Sequence, residues 1–360
     1  MPDFHPDDVH HIVNHSGSVL LFADTPLFEA LDEEEMKNLD GSFSLERFEL
    51  LAFRKKHLRD VAEKATLEYL HSFKNRLDAQ SFHLPAQDNK ELAAIVYTSG
   101  TTGFSKGVML PCNSLMGNVK FARENLPLKA GDRLLSFLPI AHCYGCAFDF
   151  LFPFIICCHV TFLGKIPSPK LLVAAFAEIR PRAIFTVPLV LEKIFKKQIK
   201  PKLDKAVVKV LLKVPGVGNA LLGKIRAKLM TVFGGEVLEI VIGGAALSPE
   251  VEDFFKKIRI PITVGYGMTE CGPLISYSPA TEHRAGSIGR VLAGLMEVRI
   301  NDPDPQSGIG EIFTRGEHLM YGYYKNKEAT EEVLDREGWL HTGDLGYIDG
   351  AGFIYIKGRS

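Results

Sequence analysis

Two hydrophobic rhythms divide the chain. Between residues 133 and 266, short apolar runs (Arg133 to Leu138, His159 to Leu163, Ala183 to Val187, Leu238 to Ile242, Ile262 to Tyr266) alternate with stretches of helical spacing such as Pro169 to Ile179 and Pro249 to Ile258. Short buried strands alternating with helices predict an α/β fold: layered, doubly wound sheets with flanking helices, whose ligands bind where strand carboxyl ends meet loops. From Ser287 onward the rhythm shortens to strands broken by Gly, Asp and Pro turns, at Glu297 to Ile300, Gly310 to Thr314, Tyr347 to Asp349 and Phe353 to Lys357. That texture predicts a small C-terminal β-barrel subdomain.

The amino-terminal pattern is looser. His10 to Gly17 followed by Val19 to Phe22 reads as a helix end, a glycine stop and a short buried strand. From Leu45 to Leu77, apolar residues near helical spacing predict one long helix or two, packed on one face. The most apolar stretch, Cys143 to Gly164, has nearly the length of a bilayer span, but Asp149, Pro153 and His159 interrupt it. It reads instead as a buried helix followed by a buried strand. Residues 193 to 228 are heavily basic, opposed only by Asp204, with valines and leucines at 207 to 214 as an apolar counterpart. A surface helix with solvated lysines is the expectation there, and peripheral contact with an anionic membrane face the alternative.

With 46% hydrophobic and 24% charged residues and a net charge of -1, the composition is that of a globular protein and argues against bulk nucleic-acid binding. No secretory signal opens the chain, and the six cysteines follow no disulfide-framework spacing, which points to a reducing cytosol. Cys143 and Cys146 beside His142 form only one C-x-x-C pair, so buried thiols are expected there rather than zinc ligands.

Residues 95 to 108, Ile-Val-Tyr-Thr-Ser-Gly-Thr-Thr-Gly-Phe-Ser-Lys-Gly-Val, carry the clearest chemistry. An apolar strand runs into a loop suited to a polyphosphate. Gly100 and Gly103 let the backbone turn and approach a ligand, Thr98, Ser99, Thr101 and Thr102 add hydroxyl donors, and Lys106 adds a point charge. A Walker loop would need glycine at Ser105 and Ser or Thr at Gly107, so that reading fails at two positions.

Thr98-Ser-Gly-Thr-Thr-Gly103 with Lys106-Gly-Val resembles the phosphate-binding signature of the adenylate-forming (AMP-binding) superfamily, and three further segments match that family in order: Gly243-Gly-Ala-Ala-Leu-Ser248, Gly265-Tyr-Gly-Met-Thr-Glu270, and Gly338-Trp-Leu-His-Thr-Gly-Asp344 leading to Lys357-Gly-Arg359. The resemblance implies activation of a carboxylic acid by ATP through an acyl adenylate, followed by thioester formation with coenzyme A. It assigns Lys106 and the loop hydroxyls to the β- and γ-phosphates, Thr269 to the α-phosphate, and Glu270 to Mg²⁺. It further implies that Tyr266, between the cofactor-binding Gly265 and Gly267, packs on adenine, that Gly243, Gly244 and Ala245 leave room for base and acyl group, that Asp344 and Arg359 reach the ribose, and that His142 lines the pocket between carboxylate and phosphate.

Short-acid enzymes of the family carry a bulky Trp two residues before the Thr-Glu pair; Gly267 stands there. With Val187-Pro-Leu-Val-Leu-Glu-Lys-Ile this makes the chain similar to long-chain fatty-acid CoA ligases, and a medium- to long-chain fatty acid is the expected substrate. An Asp pairing a substrate amine is missing from the usual place, although Asp149 stands near it. Relative to the family, the chain looks like a fragment, natural or engineered, without the start of the N-terminal domain and without the C-terminal domain, and is expected to be nearly inactive alone. The expected division is residues 1–285 as nucleotide- and acyl-binding subdomains, 286–357 as the barrel and 358–360 as a hinge. Expected partners are fatty acid, ATP and CoA, with no nucleic acid and with oligomerisation left open, in the cytoplasm or peripherally at the inner membrane face. Loading of a carrier protein, or nucleotide binding without catalysis, are the alternatives.

Overall fold

The structure, a computed structural model, describes residues 4–73, 86–98, 106–212, 214 and 216–359. It divides into two compact units, residues 1–91 with 97–107 and residues 92–96 with 108–360.

In the first unit the helix Pro6–Ser16 stops at Gly17, whose φ of 71° places it in the left-handed region that glycine adopts without a Cβ penalty. Strand Leu20–Ala23 then pairs in parallel with Gly41–Ser44, which pairs antiparallel with Leu50–Phe53. Two expectations are corrected here. The strand after Gly17 is not buried: Leu20 and Phe22 are 40% and 46% exposed, because a three-stranded sheet over a cluster of Val13, Met36 and Leu39 covers little of it. Helix does not run from Leu45 either. It begins at His57 and is described to Phe73, while Leu50–Phe53 finds its backbone partners in the sheet. Residues 74 to 77 of that expected helix lie outside the described residues.

The second unit is built on a parallel sheet ordered Ile262–Val264, Glu239–Ile242, Ala183–Thr186, Arg133–Ser136, His159–Phe162. Every residue of the central strands Glu239–Ile242 and Ala183–Thr186 is buried, as continuous apolar runs require when helices cover both faces. Each buried Ile, Leu or Phe contributes roughly 1.5–3 kcal/mol of transfer free energy. Helix Pro169–Ile179 spans its expected residues: Ser168 Oγ caps it by accepting from Leu171 N at 3.3 Å, proline occupies the first turn, and Leu172 and Phe176 are buried. Helix Pro249–Lys257 buries Val251 and Phe255 in the same way.

One expected strand divides. Ile262 to Tyr266 leaves the parallel sheet after Val264, and Tyr266–Gly267 pairs instead with Leu274–Tyr277, which in turn pairs with Arg290–Val291. Beyond it, Met296–Asn301, Gly310–Gly316, Leu340–Ile348 and Ile354–Arg359 form an antiparallel sheet in that order. Its last strand is tied in turn to the segment leading into Arg290–Val291, Ile288 N donating to Ile354 O and Ile354 N to Gly289 O, each at 2.9 Å.

The apolar stretch after Cys143 folds as a π-helical turn Gly145–Leu151, helix Phe152–Ile155 and strand His159–Phe162, and the strand, at the edge of the sheet with His159 and Phe162 exposed, is not the buried one expected. No helix among the described residues is long and apolar enough to cross a membrane. The basic segment is a succession of helices, short ones such as Pro188–Ile194, Lys200–Leu203 and Ala206–Leu211 followed by the longer Val217–Val232, rather than one amphipathic helix. Pro201 interrupts it, and Val207 and Val210 stand exposed.

Candidate active site

Strand carboxyl ends converge on a cavity of about 380 Å³ in the second unit. Leu138 and Pro139 follow strand Arg133–Ser136, Val187 follows Ala183–Thr186, Gly243 and Gly244 follow Glu239–Ile242, and Gly265 follows Ile262–Val264; all of them line it. The loops stay tied to the sheet, since Gly243 N donates to Thr186 O at 3.0 Å and Gly265 N to Ile242 O at 2.9 Å. Space at Gly243 is tight: a Cβ there would stand 3.1 Å from the Tyr144 ring, which would have to shift by a few tenths of an ångström. Apolar side chains make up the rest of the wall, with Phe121, Leu126, Phe148, Phe185 and Tyr277 among them.

His142, Tyr266, Gly267 and Thr269 border the same cavity. Ala245 is exposed and is not among the residues that line it. Tyr266 is buried, and its hydroxyl donates to Asp344 Oδ2 at 2.7 Å, while Arg359 Nε donates to Asp344 Oδ1 at 3.0 Å. Asp344 therefore presents a carboxylate braced on both oxygens beside a phenol ring on the cavity wall. Burial, with Asp344 adding to it, drives the Tyr266 pKa far up, so the phenol keeps its proton and remains the donor. The strand Leu340–Ile348 carries Thr342, Gly343 and Asp344; Gly343, at φ 69°, interrupts the extended backbone in the left-handed region, and Asp344 pairs across the sheet with Arg359.

Glu270 sits in a short 3₁₀ turn, Thr269–Cys271, and its Oε1 accepts from the Tyr323 hydroxyl at 2.8 Å. Tyr323 belongs to strand Gly322–Tyr323, paired with Met109 and Val108. Nothing in the local sequence marks it. Its pKa is driven up by burial and by the charge of Glu270, which again keeps it a donor.

Asp149 is not on the cavity wall. It is buried in the π-helical turn, where Oδ2 accepts from Phe137 N at 3.2 Å and Leu138 N at 3.1 Å, holding the loop that brings Leu138 and Pro139 to the rim. Burial raises its pKa to about 7, against the pull of those two amides. It holds the rim from behind and is not among the residues that line the cavity. Cys143 lines the cavity as a buried thiol whose pKa is pushed up to about 12, chiefly by desolvation, and so is unreactive.

Gly267 has a second role that its sequence position hides. A Cβ on it would collide with the Pro273 carbonyl oxygen, so the short strand pair beside the cavity closes only with glycine there. Thr98 ends strand Leu92–Thr98 and Lys106 opens strand Lys106–Pro111, both in the segment assigned to the first unit. Ser99, Gly100, Thr101, Thr102 and Gly103 lie outside the described residues.

An apolar cavity at the carboxyl ends of a parallel sheet, flanked by a braced carboxylate and a Thr-Glu turn, places this chain among nucleotide-handling α/β proteins. It belongs to the AMP-binding enzyme family, whose pattern matches residues 1–324. Among its relatives, "Long-chain-fatty-acid--CoA ligase ACSBG2" of Gallus gallus is 33% identical over 301 residues, covering 77% of this chain and 39% of that protein. "Long-chain-fatty-acid--[acyl-carrier-protein] ligase AEE15, chloroplastic" of Arabidopsis thaliana is 30% identical over 334 residues, covering 79% and 45%. The chain thus spans less than half the length of these relatives. ATP-bound MatB from Rhodopseudomonas palustris shares the fold, with a TM-score of 0.72 at 22% identity over 99% of this chain and 62% of that one.

Proposed function

We propose that this chain carries the nucleotide and acyl sites of an ATP-dependent acid–thiol ligase acting on a medium- or long-chain fatty acid. The observation that carries the reading is the apolar cavity bordered on one side by the Tyr266–Asp344–Arg359 cluster and by Thr269. In this reading the Tyr266 ring packs on adenine, and Asp344 accepts the ribose hydroxyls with Arg359 beside it. The acid lies along the apolar wall. Thr269 meets the α-phosphate, Thr98, Lys106 and the loop hydroxyls the β- and γ-phosphates, and His142 sits between carboxylate and phosphate.

Joining a carboxylate to a phosphate brings two anions together, so catalysis rests on positioning and on groups that offset charge. Glu270 is the residue that would hold Mg²⁺, which supplies charge neutralisation on the phosphates when bound. Its carboxylate has acceptor capacity beyond the single bond from Tyr323. Among the described residues no group of three or more His, Cys, Asp or Glu side chains is placed to hold a metal ion, so the other ligands would come from nucleotide and water. The thiol of CoA then attacks the acyl carbon of the adenylate, forming the thioester as the bond to phosphate breaks and AMP leaves. A carrier-protein thiol is the second reading, favoured by the resemblance to the plant acyl-carrier-protein ligase.

Equilibrium titration with ATP, ADP and adenosine in the presence of Mg²⁺ tests the nucleotide site. Lys106→Ala should weaken ATP much more than adenosine, because only the phosphates meet its charge, and equal losses for both would refute the assignment. Pyrophosphate release over a panel of acids, with CoA and acyl carrier protein offered separately, tests the substrate and acceptor.

A further inference from the structure

A second cavity, of about 650 Å³, lies at the opposite, amino-terminal ends of strands Glu239–Ile242 and Ile262–Val264. Its rim carries the exposed cations Lys256 and Arg259. Two separate chain segments border both cavities. In the first, Phe121 and Leu126 face the cavity beside Tyr266, whereas Asn125 and Pro127 face the other. The second is strand Leu274–Tyr277 and its continuation: Leu274 and Tyr277 line the first cavity, Pro279 and Ala280 the second. The partition between them is therefore thin, and side chains make it.

Tyr277 is the centre of that partition. Its ring lies edge-on to Phe121, with centroids 5.8 Å apart, and its hydroxyl donates at 2.8 Å to Oε2 of Glu239, a buried carboxylate on the wall of the second cavity. Glu239 Oε1 is held in turn by Ala280 N at 2.6 Å. Burial raises both pKa values, of the phenol and of the carboxyl, so the proton stays on Tyr277 and the bond keeps its direction. A buried Glu is costly to keep, and here it is used to fix one aromatic ring across the end of an apolar pocket.

We propose that Tyr277, positioned by Glu239, is the residue that sets the acyl-chain length the pocket accepts, and that its withdrawal joins the two cavities into one longer channel. This deepens the ligase reading above and rests on it. Binding should grow about fourfold per added methylene while the chain still finds apolar wall, then level off where Tyr277 blocks it.

The experiment is calorimetric titration of the protein with octanoic, dodecanoic, palmitic and stearic acids, alongside pyrophosphate release with the same acids. Tyr277→Ala should move the levelling point to a longer acid and raise stearic acid binding at least about tenfold relative to octanoic, a gain that fewer than two further buried methylenes already supply. Glu239→Ala should shift it the same way, whereas Glu239→Gln, which keeps an acceptor for the hydroxyl, should not. If Tyr277→Ala does not fold, Leu126→Ala removes the neighbouring part of the partition and must shift the profile in the same direction. Folded variants with an unmoved profile would overturn the gate while leaving the ligase reading intact. No binding of any acid by the unmodified protein would sink both.

Discussion

Replacing Asp149 by Asn tests how the cavity rim is held. The aspartate is buried, with its pKa raised to about 7 from 3.8. Such a shift means that the folded state holds a proton the unfolded state has released. Its contribution to stability is fully present below about pH 3.8 and is lost as pH rises through 7. Between pH 5 and pH 8 the loss accrues over roughly two pH units at about 1.36 kcal/mol each, or about 3 kcal/mol. The substituted amide would keep an oxygen acceptor for Phe137 N and Leu138 N but would not titrate. The stability of Asp149→Asn relative to the unmodified protein should therefore rise by about 3 kcal/mol between those pH values. In urea that is a shift of roughly 1 M in the difference between midpoints. Urea unfolding at several pH values, read by fluorescence and circular dichroism together, measures it. A difference between the two proteins that stays constant from pH 5 to pH 8 would refute the buried, proton-holding carboxyl. Asp149→Ala should behave otherwise: it orphans two backbone N–H groups, each costing about 1–3 kcal/mol, at every pH.

Three further outcomes are expected. Asp344→Ala should weaken adenosine and ATP alike, by about 1.5–3 kcal/mol, because it deletes a charged acceptor proposed for the ribose; titration with both ligands checks this, and a loss confined to ATP would contradict it. Gly267→Ala should lower the melting temperature and disorder the strand pair at Leu274, since its Cβ would meet the Pro273 carbonyl; thermal unfolding with no loss would show that the turn can relax. If the exposed Val207 and Val210 in the basic segment dock on anionic lipid, sedimentation with phosphatidylserine vesicles should be lost in a double substitution to Ser, and equal sedimentation of both proteins would remove that role.

The alternation of apolar runs with helical spacing was enough to place the parallel sheet, and the glycines at 243 and 265 stand at its carboxyl ends, directly after the strands that precede them in sequence. Both signals are local. Burial on both faces makes residues 240–242 of strand Glu239–Ile242 continuously apolar, and Ser168 with Pro169 supplies a local start signal for its helix. Leu50–Phe53 misled for the same reason: the apolar spacing around it is also helical, and only pairing with Gly41–Ser44 makes it a strand. Tertiary structure alone decided which groups meet. Tyr323 stands 53 residues from the Glu270 it braces, Tyr266 stands 78 from Asp344, and Tyr277 reaches Glu239 across 38. No periodicity encodes such pairs. Gly267 shows the same limit, since the sequence displays an absent side chain, and the fold supplies the carbonyl of Pro273 that requires the absence. Local patterning fixes which backbone forms, because it depends on the nearest neighbours; the chemistry of a site depends on distances that only the closed chain defines.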